Sequence, residues 1–159
     1  MCIVRASEIK VDTPITVYKV LIRTSANEYF TPFYGMEVPQ EVIEGKKELK
    51  ALGYASLNVM RIYAEVEGGY IHSYASLNAA VDEFFKYYVP QHARNDRYPH
   101  LFECRIDPSD EEGYCWEGEF DSLPHDRCIA AKRITFVREI DYHEMKNVYK
   151  EHTGKFPGE

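Results

Sequence analysis

The sequence contains no long hydrophobic run, and this absence argues against any protein that crosses a membrane on helices. A membrane-spanning helix needs about 20 consecutive apolar residues, and no stretch of the chain approaches that length. Residues 1–6 have neither a basic start nor a long apolar region, so they do not resemble a signal peptide. We therefore expect a cytoplasmic protein without a membrane partner.

Basic residues are scarce relative to acidic ones. The chain has 19 Lys and Arg against 26 Asp and Glu, which gives a formal net charge of −7. Proteins that bind the nucleic-acid backbone usually present a basic face. The charge balance therefore argues against direct binding to nucleic acid, and it is typical of a soluble protein.

Recognisable catalytic and cofactor motifs are also missing. The sequence has no Walker loop, no dinucleotide-binding glycine fingerprint and no H-E-x-x-H motif. The pair Gly68-Gly69 alone is weak support for phosphate binding, and the acidic residues show no spacing typical of a metal site. We therefore predict no cofactor, no metal and no catalytic residue, and we favour a non-enzymatic protein over an enzyme.

The four cysteines are Cys2, Cys104, Cys115 and Cys128, which we expect to be reduced in a cytosolic chain. If the predicted strands 100–106 and 113–120 form a hairpin that turns at Ser109 and Asp110, Cys104 faces Cys115 across it. His125 and Cys128 would then complete four ligands of the kind that zinc prefers. Because two tight C-x-x-C pairs are missing, we predict free buried thiols, and whether these four side chains converge stays open.

Tyrosine is the residue type that stands out, with 13 Tyr beside 8 Phe and 1 Trp. Tyr is favoured in strands and at interfaces, because its ring is apolar and its hydroxyl is polar. The composition fits a β-rich core with half-buried rings, and it also fits an aromatic binding surface.

The hydrophobic pattern predicts a single α+β domain with a mainly antiparallel sheet. Turn residues separate the predicted elements, and residues 91–99 and 121–126 are predicted loops. A frayed tail is expected over residues 153–159. The predicted strands are 15–23, 29–38, 57–66, 100–106, 113–120 and 133–140, and the predicted helices are 76–88 and 141–151.

The principal helix is predicted from a stripe of apolar residues at helical spacing, namely Leu77, Val81, Phe84 and Tyr88. This stripe should pack on one face of the sheet, whose core strands we expect at 17–21 and 134–137. The helix should end near Tyr88, because Pro90 disfavours helical geometry at the residue before it.

The residues that lead into this helix are the candidate site. The sequence of 67–76 predicts a turn, a short strand and a polar corner, and the start of a helix offers free N–H donors to a ligand. A histidine at this corner can donate, accept or ligate near neutral pH, while a serine here could instead cap the helix. The candidate ligand-binding residues are Tyr70, His72, Ser73, Tyr74 and Ser76.

Several short segments resemble a loose group of small uncharacterised proteins of bacteria and their phages. The segments are 16–21, 31–33, 69–73, 103–106, 114–118 and 130–134. The resemblance implies an intracellular accessory protein of phage or mobile-element type, and it supplies no catalytic residue. With the tyrosines and the acidic balance, it favours a binding protein that captures a partner protein or a nucleotide-like small ligand.

A second resemblance is to ADP-ribosyltransferase-type folds, and it gives the alternative hypothesis of a nucleotide-acting enzyme. Residues 73–76 resemble the strand-turn-helix element of such folds, and Arg23 or His72 would take the place of their basic residue. Glu117, Glu119 or Glu139 would supply the acid, and nothing in the sequence selects among the three.

Overall fold

The computed structural model describes residues 3–32, 35–51, 69–92, 96–120 and 123–159, with Val4 and residues 123–126 described by their backbone alone. The chain forms one α+β domain with an antiparallel sheet, as the sequence predicts. The strand predicted at 57–66 and the turn residues 67–68 lie outside the described residues.

The sheet contains more strands than the six predicted. The strands are β1 (Ile3–Glu8), β2 (Ile15–Thr24), β3 (Tyr29–Phe30), β4 (Glu37–Val38), β5 (Leu49–Lys50), β6 (Ile71–Tyr74), β7 (Arg97–Ile106), β8 (Cys115–Phe120), β9 (Leu123–Ala131) and β10 (Arg133–Ile140). Their order in the sheet is β1-β8-β9-β6-β2-β7-β10-β5, and β3 joins β2 and β4 at one end. The predicted strand at 29–38 therefore contains two short strands, β3 and β4, that pair with each other.

The helices lie mainly on one face of this sheet. They are α1 (Gln40–Ile43), α2 (Leu77–Glu83), a π-helical turn (Phe84–Tyr88), α3 (Val89–His92) and α4 (Tyr142–Thr153). No helix in the described part of the chain is long and apolar enough to span a membrane. The α2 segment, the π turn and α3 run on without a break, and we call them together the main helix.

The main helix begins where predicted but does not end near Tyr88. Its first turn is capped by Ser76, whose hydroxyl accepts from the N–H of Ala79 at 3.2 Å. Pro90 lacks the N–H that would bond one turn back, and its ring would press against that turn. The helix widens to π geometry just before the proline, with the N–H of Val89 bonded to the carbonyl of Phe84. The wider turn accommodates Pro90, so the helix continues to His92.

Two apolar clusters cover the two faces of the sheet. The first, which we call the helix-side core, packs the sheet against the main helix and α4 and includes Val20, Tyr74, Val81, Phe84, Tyr88, Leu101, Phe120, Cys128, Ile140, Met145 and Tyr149. The predicted helix stripe is confirmed, since Val81, Phe84 and Tyr88 are buried and Leu77 packs against them while partly exposed. The second core, on the other face, includes Val17, Leu21, Phe102, Cys104, Ile106, Cys115, Ile134 and Phe136.

The sheet curls strongly, as the crossing at Lys132 shows. This residue alone separates β9 from β10, yet β6, β2 and β7 lie between those two strands in the sheet. Adjacent strands are about 4.8 Å apart, so in a flat sheet β9 and β10 would be about 19 Å apart. One residue spans about 7 Å at most. The sheet must therefore bend back on itself until the two strands meet at Lys132.

Three sequence predictions about strands are wrong. Residues 97–99 are strand rather than loop, because they pair with residues 22–24 of β2. Residues 123–126 belong to β9, whereas the sequence predicts residues 121–126 as a loop. Val137, predicted in the core, is 48% exposed, because the register of β10 shifts between Phe136 and Arg138 and turns the residue between them outward.

Gly45 should not tolerate a side chain, and comparison with Gly35 separates the two reasons. Its φ is +78°, and an added Cβ would lie 2.7 Å from the carbonyl oxygen of Phe136. Gly35 has a similar φ of +63° but no atom within 4 Å of such a Cβ. Gly45→Ala should lose about 1–3 kcal/mol of unfolding free energy from backbone strain and more from crowding, whereas Gly35→Ala should show the strain alone. Urea unfolding measures both, and equal losses would contradict the crowding.

Candidate functional site

The candidate site lies where β2 and β6 separate in the middle of the sheet. On its other side β2 pairs with β7 along its whole length, from Ile15 opposite Ile106 to Thr24 opposite Arg97. Toward β6 only one residue pair is formed, Tyr18 with Tyr74. We call the opening beyond this pair the β2–β6 gap. An interrupted ladder leaves room for side chains at the level of the sheet, where backbone hydrogen bonds would otherwise close it.

A small cavity of about 30 Å³ occupies this gap. Residues of both strands, the π turn and β8 line it, namely Tyr18, Lys19, Val20, His72, Tyr74, Tyr88 and Phe120. A water needs at least about 10–15 Å³ of such volume, so the cavity holds a group of only two or three non-hydrogen atoms. Two of the predicted site residues, His72 and Tyr74, face this cavity.

The side chain of Lys19 reaches from β2 to β6 across the gap. Its Nζ donates to the backbone carbonyl of His72 at 2.7 Å. In the part of the chain that the structure describes, no carboxylate forms an ion pair with Lys19. Although the side chain keeps partial exposure, burial around the amine lowers the pKa of Lys19 from 10.5 to about 8. The gap therefore contains an ammonium group that has no counter-ion among the described residues.

His72 presents an imidazole that has one unused nitrogen. Its Nδ1 is out of contact with solvent and has no hydrogen-bond partner among the described residues. Burial, with a smaller contribution from the nearby Lys19 charge, lowers the pKa of His72 from 6.5 to about 3. The ring is therefore neutral at physiological pH, and its Nδ1 can donate or accept a hydrogen bond, depending on the tautomer.

Ser73 is the second orphan polar group at this corner. The residue is 1% exposed, and its Oγ has no hydrogen-bond partner among the described residues. If the register of Tyr18 with Tyr74 continued, Ser73 would stand opposite Lys19. A buried hydroxyl without a partner costs about 1–3 kcal/mol, but Ser73 does not line the cavity.

Tyr74 and Tyr88 close the cavity from the helix side. The hydroxyl of Tyr74 donates to that of Tyr88 across 3.5 Å. Burial raises the pKa of Tyr74 above its ordinary range and that of Tyr88 to about 12. Both phenols therefore stay protonated, and they give the cavity hydroxyl groups on an otherwise aromatic wall.

The other two predicted site residues have structural roles. The hydroxyl of Tyr70 donates to the carbonyl of Gly113 at 2.9 Å, so it fastens β6 to the loop before β8. Ser76 caps α2, as described above. Neither residue lines the cavity.

The cysteines do not form the facing pair that a four-ligand zinc site would need. Because β7 pairs with β2 and β10 while β8 pairs with β1 and β9, Cys104 does not face Cys115. Cys104, Cys115 and Cys128 are buried free thiols, and burial raises the pKa of each, to about 12 for Cys115 and Cys128. Such thiols are unreactive. No group of three metal-ligating side chains occurs among the described residues; Cys2 and the side chain of His125 lie outside them.

The candidate acids of the transferase alternative lie away from the cavity. Glu117 and Glu119 form ion pairs with Arg127 on the neighbouring strand, and Glu139 pairs with His100 at 3.1 Å. Arg23, the alternative to His72 as the basic residue, donates a hydrogen bond to the side chain of Asn27. None of these side chains lines the β2–β6 gap.

Lys19 is the residue that the sequence analysis missed. It interrupts the otherwise apolar run Val17-Tyr18-Lys19-Val20-Leu21 of β2. Lysine is almost never buried in a central strand without a partner, so a lysine inside such a run was the available signal.

No protein family, curated protein or solved structure matches the chain.

Proposed function

We propose that the protein is a non-enzymatic binding protein whose β2–β6 gap takes an oxygen-bearing group of a small ligand, such as a carboxylate. One observation carries this proposal: the amine of Lys19 lies at the cavity with a single carbonyl acceptor and no ion-pair partner in the described chain. An ammonium group has three N–H donors. Two of them are left to a ligand, and an anionic oxygen would also supply the missing counter-charge.

The neighbouring groups complement such an oxygen. Nδ1 of His72 has no hydrogen-bond partner among the described residues, and Tyr74 and Tyr88, which also line the cavity, are joined by a hydrogen bond between their hydroxyls. A neutral imidazole nitrogen that carries its proton can donate a hydrogen bond, as can the Lys19 amine. A ligand group that accepts several hydrogen bonds therefore fits the gap better than a cationic or purely apolar one.

The size of the cavity limits what it can enclose. About 30 Å³ admits a carboxyl or carbonyl group, whereas a whole nucleotide is several times larger. A nucleotide-like ligand would place only a terminal group in the gap. Enclosure also favours a small ligand over a partner protein at this site, because a protein surface cannot enter so narrow a space.

Binding without turnover is supported by the lining residues. None of the described residues that line the cavity carries a carboxylate, and the candidate acids Glu117, Glu119 and Glu139 bond to Arg127 or His100 elsewhere. The resemblance to small proteins of bacteria and their phages supports an accessory role of this kind.

Thermal stability in the presence of small anions tests the proposal. Sodium formate, acetate and phosphate are compared with sodium chloride at equal ionic strength. A ligand at 100 times its Kd stabilises the folded protein by about 2.7 kcal/mol, which raises the Tm of a chain this size by roughly 5–10 °C. We expect a saturable rise with at least one of the three anions, its loss in Lys19→Met, and its retention in Lys155→Met, which removes an exposed lysine. No rise, or an equal rise in Lys19→Met, would contradict the proposal.

Incubation with NAD separates the binding protein from the nucleotide-acting alternative. We expect no release of nicotinamide. Steady release that disappears in Glu117→Gln, Glu119→Gln or Glu139→Gln would overturn the non-enzymatic assignment and identify the acid.

A further inference from the structure

We propose that Lys19 holds its ligand covalently, as an imine formed between its amine and the carbonyl carbon of a small aldehyde or ketone. This inference rests on the proposed function, because it assigns the chemical class of the ligand in the β2–β6 gap. It goes further in one respect: the bound group is a carbonyl compound, and the amine is its nucleophile.

The position of the amine favours this chemistry over a purely ionic contact. The hydrogen bond from Nζ to the His72 carbonyl, at 2.7 Å, fixes the amine at the cavity it lines. An ion-paired lysine keeps its proton and is a poor nucleophile, and no carboxylate pairs with Lys19 in the described chain. The amine is thus held beside His72, another residue of the cavity wall, and no acid in the described chain neutralises it.

The burial of the amine makes its reactive form available near neutral pH. With a pKa of about 8, roughly one Lys19 in ten is unprotonated at pH 7, whereas an ordinary lysine is unprotonated in fewer than about one case in a thousand. Desolvation of a lysine in an apolar pocket is a recognised way of activating it toward carbonyl compounds.

The reaction balances without any oxidant or reductant. The lone pair of Nζ attacks the carbonyl carbon, and a proton moves from nitrogen to oxygen to give a carbinolamine. The hydroxyl then leaves with a second proton from nitrogen as water, and the C=N bond forms. Tyr74 and Tyr88 line the same cavity and are joined by a hydrogen bond between their hydroxyls, which offers a path for these protons.

The size of the cavity predicts which carbonyl compounds react. A volume of about 30 Å³ accommodates the carbonyl and one small substituent, as in acetaldehyde. A bulky aromatic aldehyde cannot bring its carbonyl carbon to Nζ. Lys155 is exposed and has no such restriction, so it is a control for the general reactivity of lysine.

Reductive trapping tests the inference on the wild-type protein. The protein is incubated at pH 7 with acetaldehyde and sodium cyanoborohydride, and alkylation of each lysine is followed by peptide mass spectrometry. We expect Lys19 to be alkylated at least ten times faster than Lys155. With 2-naphthaldehyde the order should reverse, because the ring does not fit the gap. Alkylation of Lys19 no faster than that of Lys155 by acetaldehyde would overturn the inference.

The outcomes also separate this inference from the proposed function. If an anion stabilises the protein through Lys19 but acetaldehyde does not label that residue preferentially, the imine is wrong and the binding site stands. If neither effect occurs, both proposals fall. Circular dichroism of the alkylated protein shows whether labelling took place in the folded state, and preferential labelling that requires unfolding would also overturn the imine.

Discussion

Phe84→Ala should destabilise the protein by about 3–5 kcal/mol, the cost that removal of a buried phenylalanine usually carries. Phe84 is 2% exposed and lies in the helix-side core. Its ring meets that of Phe85 edge-on, with centroids 5.2 Å apart. It stands at the start of the π turn, where the helix is already widened, so the surrounding backbone is poorly placed to close the cavity that truncation leaves.

Tyr87→Ala is the matched control for this prediction. Tyr87 belongs to the same π turn but is 36% exposed, so its loss should cost about 1 kcal/mol or less. Urea unfolding of both variants gives the comparison. A loss below about 1 kcal/mol for Phe84→Ala would place that ring at the surface and would contradict the packing of the main helix on the sheet.

The elements that the sequence predicted correctly are those specified by residues close together in the chain. The start of the main helix follows from the cap at Ser76 and the apolar stripe behind it. The start of α4 follows from Asp141, whose side chain accepts from the N–H of Glu144 at 2.8 Å, as the capping-box pattern predicts. The strand β2 follows from a run of β-branched and aromatic residues. Each of these signals is local, so it can be recognised without knowledge of the fold.

The pairing of the strands was not predictable in this way. Strands joined by a short turn usually form a hairpin, and on that basis β7 was expected to pair with β8. In the structure β8 instead pairs with β1 and β9. The sequence of β9 begins with Pro124, His125 and Asp126, which are typical of a loop, and β1 has little alternation. The partner of β1 is distant in the chain, and the start of β9 pairs back onto β8. Both strand conformations therefore depend on pairing, which intrinsic β-propensity does not include.

The candidate site was predicted in part for the same reason. His72, Ser73 and Tyr74 are recognisable because they follow one another at a strand-to-helix corner. Lys19 joins them only because the ladder between β2 and β6 stops after the pair Tyr18–Tyr74. Where a ladder stops depends on the curl of the whole sheet, and no local pattern around Lys19 encodes it.

Acid should destabilise the protein through His72, and His72→Gln should remove that part of the effect. Burial, with the nearby charge of Lys19, lowers the pKa of His72 from 6.5 to about 3 in the folded protein. Below pH 6.5 the unfolded chain therefore takes up a proton on this residue that the folded protein does not. Stability falls as the pH falls through that window, by about 3 kcal/mol between pH 6.5 and pH 4.

Urea unfolding at pH 7 and pH 4 isolates this contribution, because the carboxylates titrate alike in wild type and variant. We expect the wild type to lose about 3 kcal/mol more than His72→Gln between the two pH values. Lys19→Met distinguishes the two causes: without the ammonium only burial opposes protonation, so its acid loss should lie between those of the other two proteins. Equal losses in wild type and His72→Gln would mean that the folded protein protonates His72 freely, and the imidazole could not then be enclosed in the β2–β6 gap.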